Sequence, residues 1–139
     1  MRTLAAGLLE DLGYVAGIID GEGSIYIARE TQRNNTTYRL MVSVCNTYFD
    51  VMYSLYEGFG GSFYEDSKKR KKTLYYWRLS GKKAAEFIKL ILPYLRIKQH
   101  QAEVALSFQS LKEGMGIPAS PAQKELQLLL KTAMEGMNR

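Results

Sequence analysis

The sequence predicts an α+β fold of order αββαββα, in which four antiparallel strands form one sheet, helices cover one of its faces, and further helices follow at the C-terminus. Three observations carry this. Two segments of alternating polarity follow each other between residues 24 and 46, and two more between 62 and 80. A segment with helical periodicity precedes each pair. The strands alternate apolar and polar instead of running apolar throughout, so the sheet needs cover on one side only. At 139 residues the chain is expected to be one domain. Its core spans about residues 9–112 and a C-terminal helical extension about 119–137.

Residues 8 to 21 form the first predicted helix. Gly13, Gly17 and Gly21 recur every four residues, which strips one face of side chains at about 1 kcal/mol per interior glycine relative to alanine. Such a face admits another backbone closely, and Gly13, Ala16 and Gly17 are the residues expected at that contact. Ser24 to Arg29 reads as a strand, with Ile25 and Ile27 on one face and Ser24, Tyr26 and Ala28 on the other. The polar run Thr31 to Thr37 is assigned to the turn. The next strand, Tyr38 to Asn46, sets Leu40, Val42 and Val44 against Arg39, Met41, Ser43 and Cys45. Thr47, with Asp50 three residues later, is expected to cap a helix that ends at the Gly58 to Gly61 cluster.

Ser62 to Asp66 and Thr73 to Ser80 form a second hairpin, joined through Lys68-Lys69-Arg70-Lys71-Lys72. A slip of one residue would exchange its faces; the bulk and apolarity of Trp77 and Leu79 point them inward and leave Tyr76 and Arg78 outside. Lys82 to Leu92 and Lys98 to Leu111 are helices, the first stopped by Pro93, the second presenting Ala102, Ala105 and Phe108. After the break at Gly114, Gly116 and Pro118, Ser120, Pro121 and Gln123 supply the cap, first position and third position of a last helix. Leu126, Leu129, Leu130 and Met134 give that helix an apolar face.

Charge and composition narrow the function. A formal net charge of +5 favours an anionic partner. The single Cys45 excludes an intrachain disulfide and a Cys-rich metal site, and the single His100 argues against a His-based zinc site or a Ser-His-Asp triad. No apolar run approaches the ~20 residues of a membrane span, and no secretory signal opens the chain. The expectation is a soluble, intracellular protein without a membrane partner.

The stretch from Gly13 to Gly23 is the most informative. Asp20 and Glu22 stand at a helix C-terminus, where the macrodipole favours cations instead. A divalent cation resolves this conflict, because hard cations take carboxylate oxygens and the unpartnered last carbonyls of a helix. Two such helices packed by their bare faces would bring both acidic pairs together, with metal ions between the like charges. The plainer alternative is a core helix ending in a solvated Asp-Gly-Glu-Gly turn, and the local chemistry alone admits both.

Val15-Ala16-Gly17-Ile18-Ile19-Asp20-Gly21-Glu22-Gly23 resembles the LAGLIDADG motif that names a family of homing endonucleases, with Val first and Glu as the second acid. Ser24 to Ile27, Asn46-Thr47, Phe59-Gly60-Gly61, and Leu92-Pro93-Tyr94-Leu95 with Lys98 extend the likeness over about residues 9–112. The motif occurs once, so the resemblance implies a homodimer. It also implies a curved sheet lying on double-stranded DNA and Mg²⁺ as cofactor, with Mn²⁺ or Ca²⁺ able to occupy the same site. Both strands of a long, near-palindromic target would be cut across the minor groove, leaving short 3′ overhangs.

By the same resemblance Glu22 is the acidic metal ligand, assisted by the Gly21 carbonyl. Lys98 lies near the attacking water or scissile phosphate, and Asn46 positions water or, alternatively, caps a helix. Asp20 either orients the helix end, stands behind the metal-binding groups as a hydrogen-bond partner, or merely terminates the helix. The family's arginine early in the second helix is not matched, since Asp50 or Val51 stands there; its role is either absent or filled by Arg78 or a lysine of the basic turn. The open sheet face nominates Tyr26, Ala28, Arg39, Ser43, Tyr64, Asp66, Tyr76 and Arg78 for DNA contact, with Arg33 at the first hairpin tip. Lys69 and Arg70 of the basic turn are nominated for phosphates. A second reading keeps the fold but binds intron RNA as a maturase without cutting; the intact Glu22 and Lys98 favour cleavage.

Overall fold

A computed structural model describes residues 11–68, 71–114 and 120–138. Helix α1 (Leu12–Glu22) leads into strands β1 (Gly23–Gln32) and β2 (Asn35–Asn46), then α2 (Phe49–Phe59), β3 (Ser62–Asp66), β4 (Leu74–Ser80) and α3 (Gly81–Ile91). A 3₁₀ turn (Leu92–Tyr94), α4 (Gln99–Glu113) and α5 (Pro121–Met137) complete the chain. The predicted αββαββα order and C-terminal helices are therefore present. The start of the first helix at residues 8 to 10 and the break at Gly116 and Pro118 lie outside the described residues.

All four strands form one antiparallel sheet in the order β1-β2-β4-β3. Ile25, Ile27, Leu40, Val42, Val44, Trp77 and Leu79 are buried beneath the helices, so the hairpin faces are as predicted and no register slip occurs. The opposite face is open. Trp77 satisfies its indole by donating from Nε1 to the Gly60 carbonyl at 2.8 Å, as a buried Trp requires.

The first hairpin is longer than predicted. Its turn needs only Arg33 and Asn34, both left-handed at φ 51° and 64°, as a two-residue hairpin turn with strand-matching twist demands. Thr31 and Thr36 consequently pair across the strands, their hydroxyls 3.5 Å apart. Assigning the whole Thr-rich run to a loop ignored the strand preference of β-branched residues. Helix α2 also starts later than expected: Tyr48, not Thr47, is its N-cap, without a side-chain cap bond.

Helix α5 opens with the predicted capping box between Ser120 and Gln123. Its buried stripe is narrower than predicted. Met134 is 1 % exposed, but Leu126 and Leu129 are 43 % and 61 % exposed. The helix packs on α4, β1 and β2, and the side turned to them buries Gln127 and Met134 instead of those leucines.

Candidate functional site

Helix α1 is fixed at its start by Asp11, whose side chain accepts the Tyr14 N–H at 2.9 Å. Val15, Ala16 and Ile19 turn into the core. Gly13, Gly17 and Gly21 turn outward, and a Cβ built at Gly17 or Gly21 would meet nothing within 4 Å. Among the described residues nothing requires glycine at those two positions. Gly23 differs: a Cβ there would lie 2.8 Å from Ile19 Cα, so the turn from α1 into β1 closes only with glycine. Ala16 is corrected here. It is fully buried with Val15 and Ile19, about 100° around the helix from Gly17, and belongs to the core instead of a contact face.

Glu22 is the last residue of α1, and its carboxylate is exposed. Asn46, at the end of β2, donates from Nδ2 to Glu22 Oε2. The Asn46 Oδ1 accepts the Tyr48 N–H at 3.0 Å, which fixes the amide orientation and aims its donor side at the carboxylate. Asn46 is therefore the residue that holds Glu22 in place. The role of Tyr48 escaped the sequence reading, although an Asn bonding the backbone two residues on is a recognisable local pattern. Glu22 and Asn46 share the wall of an open concavity of about 620 Å³ with Tyr14, Gly17, Ile18, Gly21, Tyr48 and Val51.

Asp20 is used differently. Its carboxylate accepts the backbone N–H groups of Arg96, Ile97 and Lys98 at 2.8, 3.1 and 3.0 Å. Lys98 returns the contact, donating from Nζ to the Asp20 carbonyl at 2.8 Å. The loop before α4 is thus clamped to the end of α1, and the lysine charge offsets the negative end of the helix dipole. The geometry shows the Asp20 carboxylate engaged by backbone donors, which ties the Arg96–Lys98 segment to the helix end.

Among the described residues no three His, Cys, Asp or Glu side chains gather as a metal-binding group. The end of α1 instead offers two hard oxygen donors, the exposed Glu22 carboxylate and the adjacent Gly21 carbonyl. That donor set fits Mg²⁺, which keeps several waters and binds through one or two carboxylates together with substrate phosphates.

The nominated DNA-contact residues within the described part lie on the open face of the sheet or at its tip. Tyr26, Ala28 and Ser43 are half-buried, and Arg33 occupies the β1-β2 turn. Arg39 lies 3.5 Å from Glu30 in a cross-strand ion pair. Tyr64 stacks on Tyr76 with ring centroids 4.7 Å apart, and the Arg78 guanidinium sits 5.4 Å from the Tyr64 ring centre. Asp66 accepts the Lys68 N–H at 3.1 Å and shapes the start of the basic turn. Lys69 and Arg70 lie outside the described residues. Beneath the hairpin, Lys112 of α4 donates to the Tyr38 carbonyl; burial, and next the charge of Arg39, lower its pKa from the usual 10.5.

A family model described as LAGLIDADG endonuclease matches residues 15–115. No curated protein matches the sequence. Among solved structures, the homing endonuclease I-CvuI in complex with the I-CreI target aligns at TM-score 0.79 and 16 % identity, over 93 % of this chain and 82 % of its own. The archaeal intron-encoded homing endonuclease I-Vdi141I, complexed with DNA, aligns at 0.73 and 17 % over 92 % and 84 %. The LAGLIDADG homing endonuclease I-SmaMI bound to cleaved DNA aligns at 0.77 and 18 %, covering 95 % of this chain but 46 % of that one. At these identities the likeness establishes the fold.

Proposed function

Because this chain belongs to the LAGLIDADG endonuclease family, we propose that it is a site-specific homing endonuclease. It acts as a homodimer that hydrolyses both strands of a long, near-palindromic DNA target with Mg²⁺. The observation that carries this reading is the glycine face of α1, which ends at Glu22 and where a Cβ at Gly17 or Gly21 would meet nothing within 4 Å among the described residues. A second copy packed on that face would bring two Glu22 carboxylates to one axis, with the two sheets extending on either side. The match to about half of I-SmaMI supports the same conclusion, since one chain there spans roughly two lengths of this one.

When bound, Mg²⁺ supplies an activated water and stabilises the leaving oxygen. The chain's own contributions are distinct. Glu22 and the Gly21 carbonyl hold the cation, and Asn46 sets the Glu22 rotamer. Lys98 presents a point charge for the negative charge that builds on the phosphate. Asp20 keeps Lys98 at the end of α1. The open sheet face, with Tyr26, Ala28, Arg39, Ser43, Tyr64, Tyr76, Arg78 and the Arg33 tip, reads the major groove, where each base pair shows its own donor and acceptor pattern. Lys69 and Arg70 grip phosphates.

The test is incubation of purified protein with duplexes carrying candidate intron- or intein-insertion sites, with and without Mg²⁺. Metal-dependent cuts in both strands that vanish in Glu22→Gln are expected. Absence of cleavage by wild type, or full activity in Glu22→Gln, would overturn the proposal. Tight binding to intron RNA that survives Glu22→Gln would point to the maturase reading instead.

A further inference from the structure

We infer that Arg78 reads a guanine in each half-site of the target, an assignment that rests on the DNA-recognition reading above. The register places Ser24, Ser43, Arg78 and Ser62 in one row across the open face, one residue from each strand in spatial order. Three of the four are serines, so the guanidinium stands clear of its cross-strand neighbours. Ser43 lies three residues before Asn46, so the row is in the part of the sheet nearest the Glu22 end of α1.

The side chain is held for recognition. Arg78 is exposed and joins no ion pair among the described residues. Its guanidinium rests over the Tyr64 ring at 5.4 Å from the centre. That ring is itself braced by Tyr76, nearly parallel at 7°. Cation–π contact on a braced ring limits the rotamers of a long side chain, so less freedom is lost when its fork engages a ligand. The backbone below is equally constrained. Gly61, at φ +90°, lies so close to the Arg78 carbonyl oxygen that a Cβ would collide with it. Arg39 shows the contrast: its charge is already answered by Glu30 on the same sheet.

An unpaired, planar, oriented arginine matches one base edge best. Guanine presents O6 and N7 as adjacent acceptors in the major groove, which the guanidinium meets with two parallel N–H bonds. Adenine replaces one acceptor with an amino donor, and the fork then opposes it. The flanking serine hydroxyls both donate and accept, so they accommodate either strand sense of a neighbouring pair. The row therefore specifies one base strongly and its neighbours weakly.

The experiment is selection of bound sequences from a randomised duplex library by wild type, Arg78→Lys, Arg78→Gln and Tyr64→Leu. Wild type should enrich one guanine per half-site whose replacement weakens binding roughly tenfold to a hundredfold. Arg78→Lys, which keeps a cation but not the planar fork, should weaken that enrichment, and Arg78→Gln should shift it towards adenine. Tyr64→Leu, which frees the fork without removing it, should blunt it by a smaller factor. Preferences retained at other positions report that the variants are folded. An unchanged guanine in Arg78→Gln, or a uniform loss over all sequences as for a phosphate contact, would overturn the assignment while leaving DNA recognition standing. Failure of wild type to select any duplex would overturn both.

Discussion

The two carboxylates of α1 stand two residues apart and lead opposite lives. Asp20 is saturated by three backbone N–H groups and anchors a loop more than seventy residues away in sequence. Glu22 is exposed and receives one side-chain donor, from Asn46. The glycines along and just after this helix divide likewise, the C-cap Gly23 being demanded by the turn into β1 and Gly17 and Gly21 by nothing among the described residues. Structural demand is met among the described residues at one set of positions and left open at the other, and the open set is where the proposed partner, metal and substrate would sit.

The sharpest way to break this contrast is to neutralise each acid in turn. Glu22→Gln should lower cleavage by on the order of 10³ while shifting unfolding free energy by less than about 0.5 kcal/mol. Asp20→Asn should do the reverse in proportion. It turns an amide donor towards backbone donors and should cost about 1–2 kcal/mol of stability, with cleavage falling by a smaller factor through displacement of Lys98. Denaturant titration beside single-turnover cleavage separates the two; equal stability losses would erase the distinction.

The glycines give the next largest effect. Gly23→Ala forces Ile19 to move and should cost about 1–3 kcal/mol. Gly17→Ala should stabilise the protomer by up to ~1 kcal/mol through helix propensity, yet weaken self-association in sedimentation and depress cleavage. A Gly17→Ala protein that remains dimeric and active would show that the bare face is not a contact. The smallest effect concerns Lys112. Because its folded-state pKa is lowered, the unfolded chain holds that proton more tightly, so stability should rise between the lowered value and 10.5 as pH increases. Lys112→Met should lack that rise in urea midpoints.

Much of this was legible in the sequence because periodicity and side-chain chemistry agree. The hairpin faces followed from alternation, and the inward choice of Trp77 and Leu79 from their bulk and apolarity. Glu22 and Asn46 were both nominated, but their contact was not foreseen. What escaped was set by tertiary partners. Ala16 looked like a contact residue by spacing, but the sheet and helices claimed its side of α1. Leu126 and Leu129 looked like core, but the side of α5 turned to its neighbours buries Gln127 and Met134 instead. The choice among the roles of Asp20 depended on where residues 96–98 would pass, which no local pattern encodes.

One attachment has a mechanical consequence. Helix α5 fastens the β1-β2 ribbon near both of its ends: Lys124 donates to Asn35 Oδ1 beside the tip at 2.6 Å, and Asn138 donates to the Ile25 carbonyl near the root at 2.9 Å. A ribbon whose first strand has ten residues and runs about 33 Å at the usual rise, pinned twice from below, has little room to flex by itself. With a duplex laid along such an arm, the bending falls to the nucleic acid, and the energy of deforming each base step becomes part of what the protein measures.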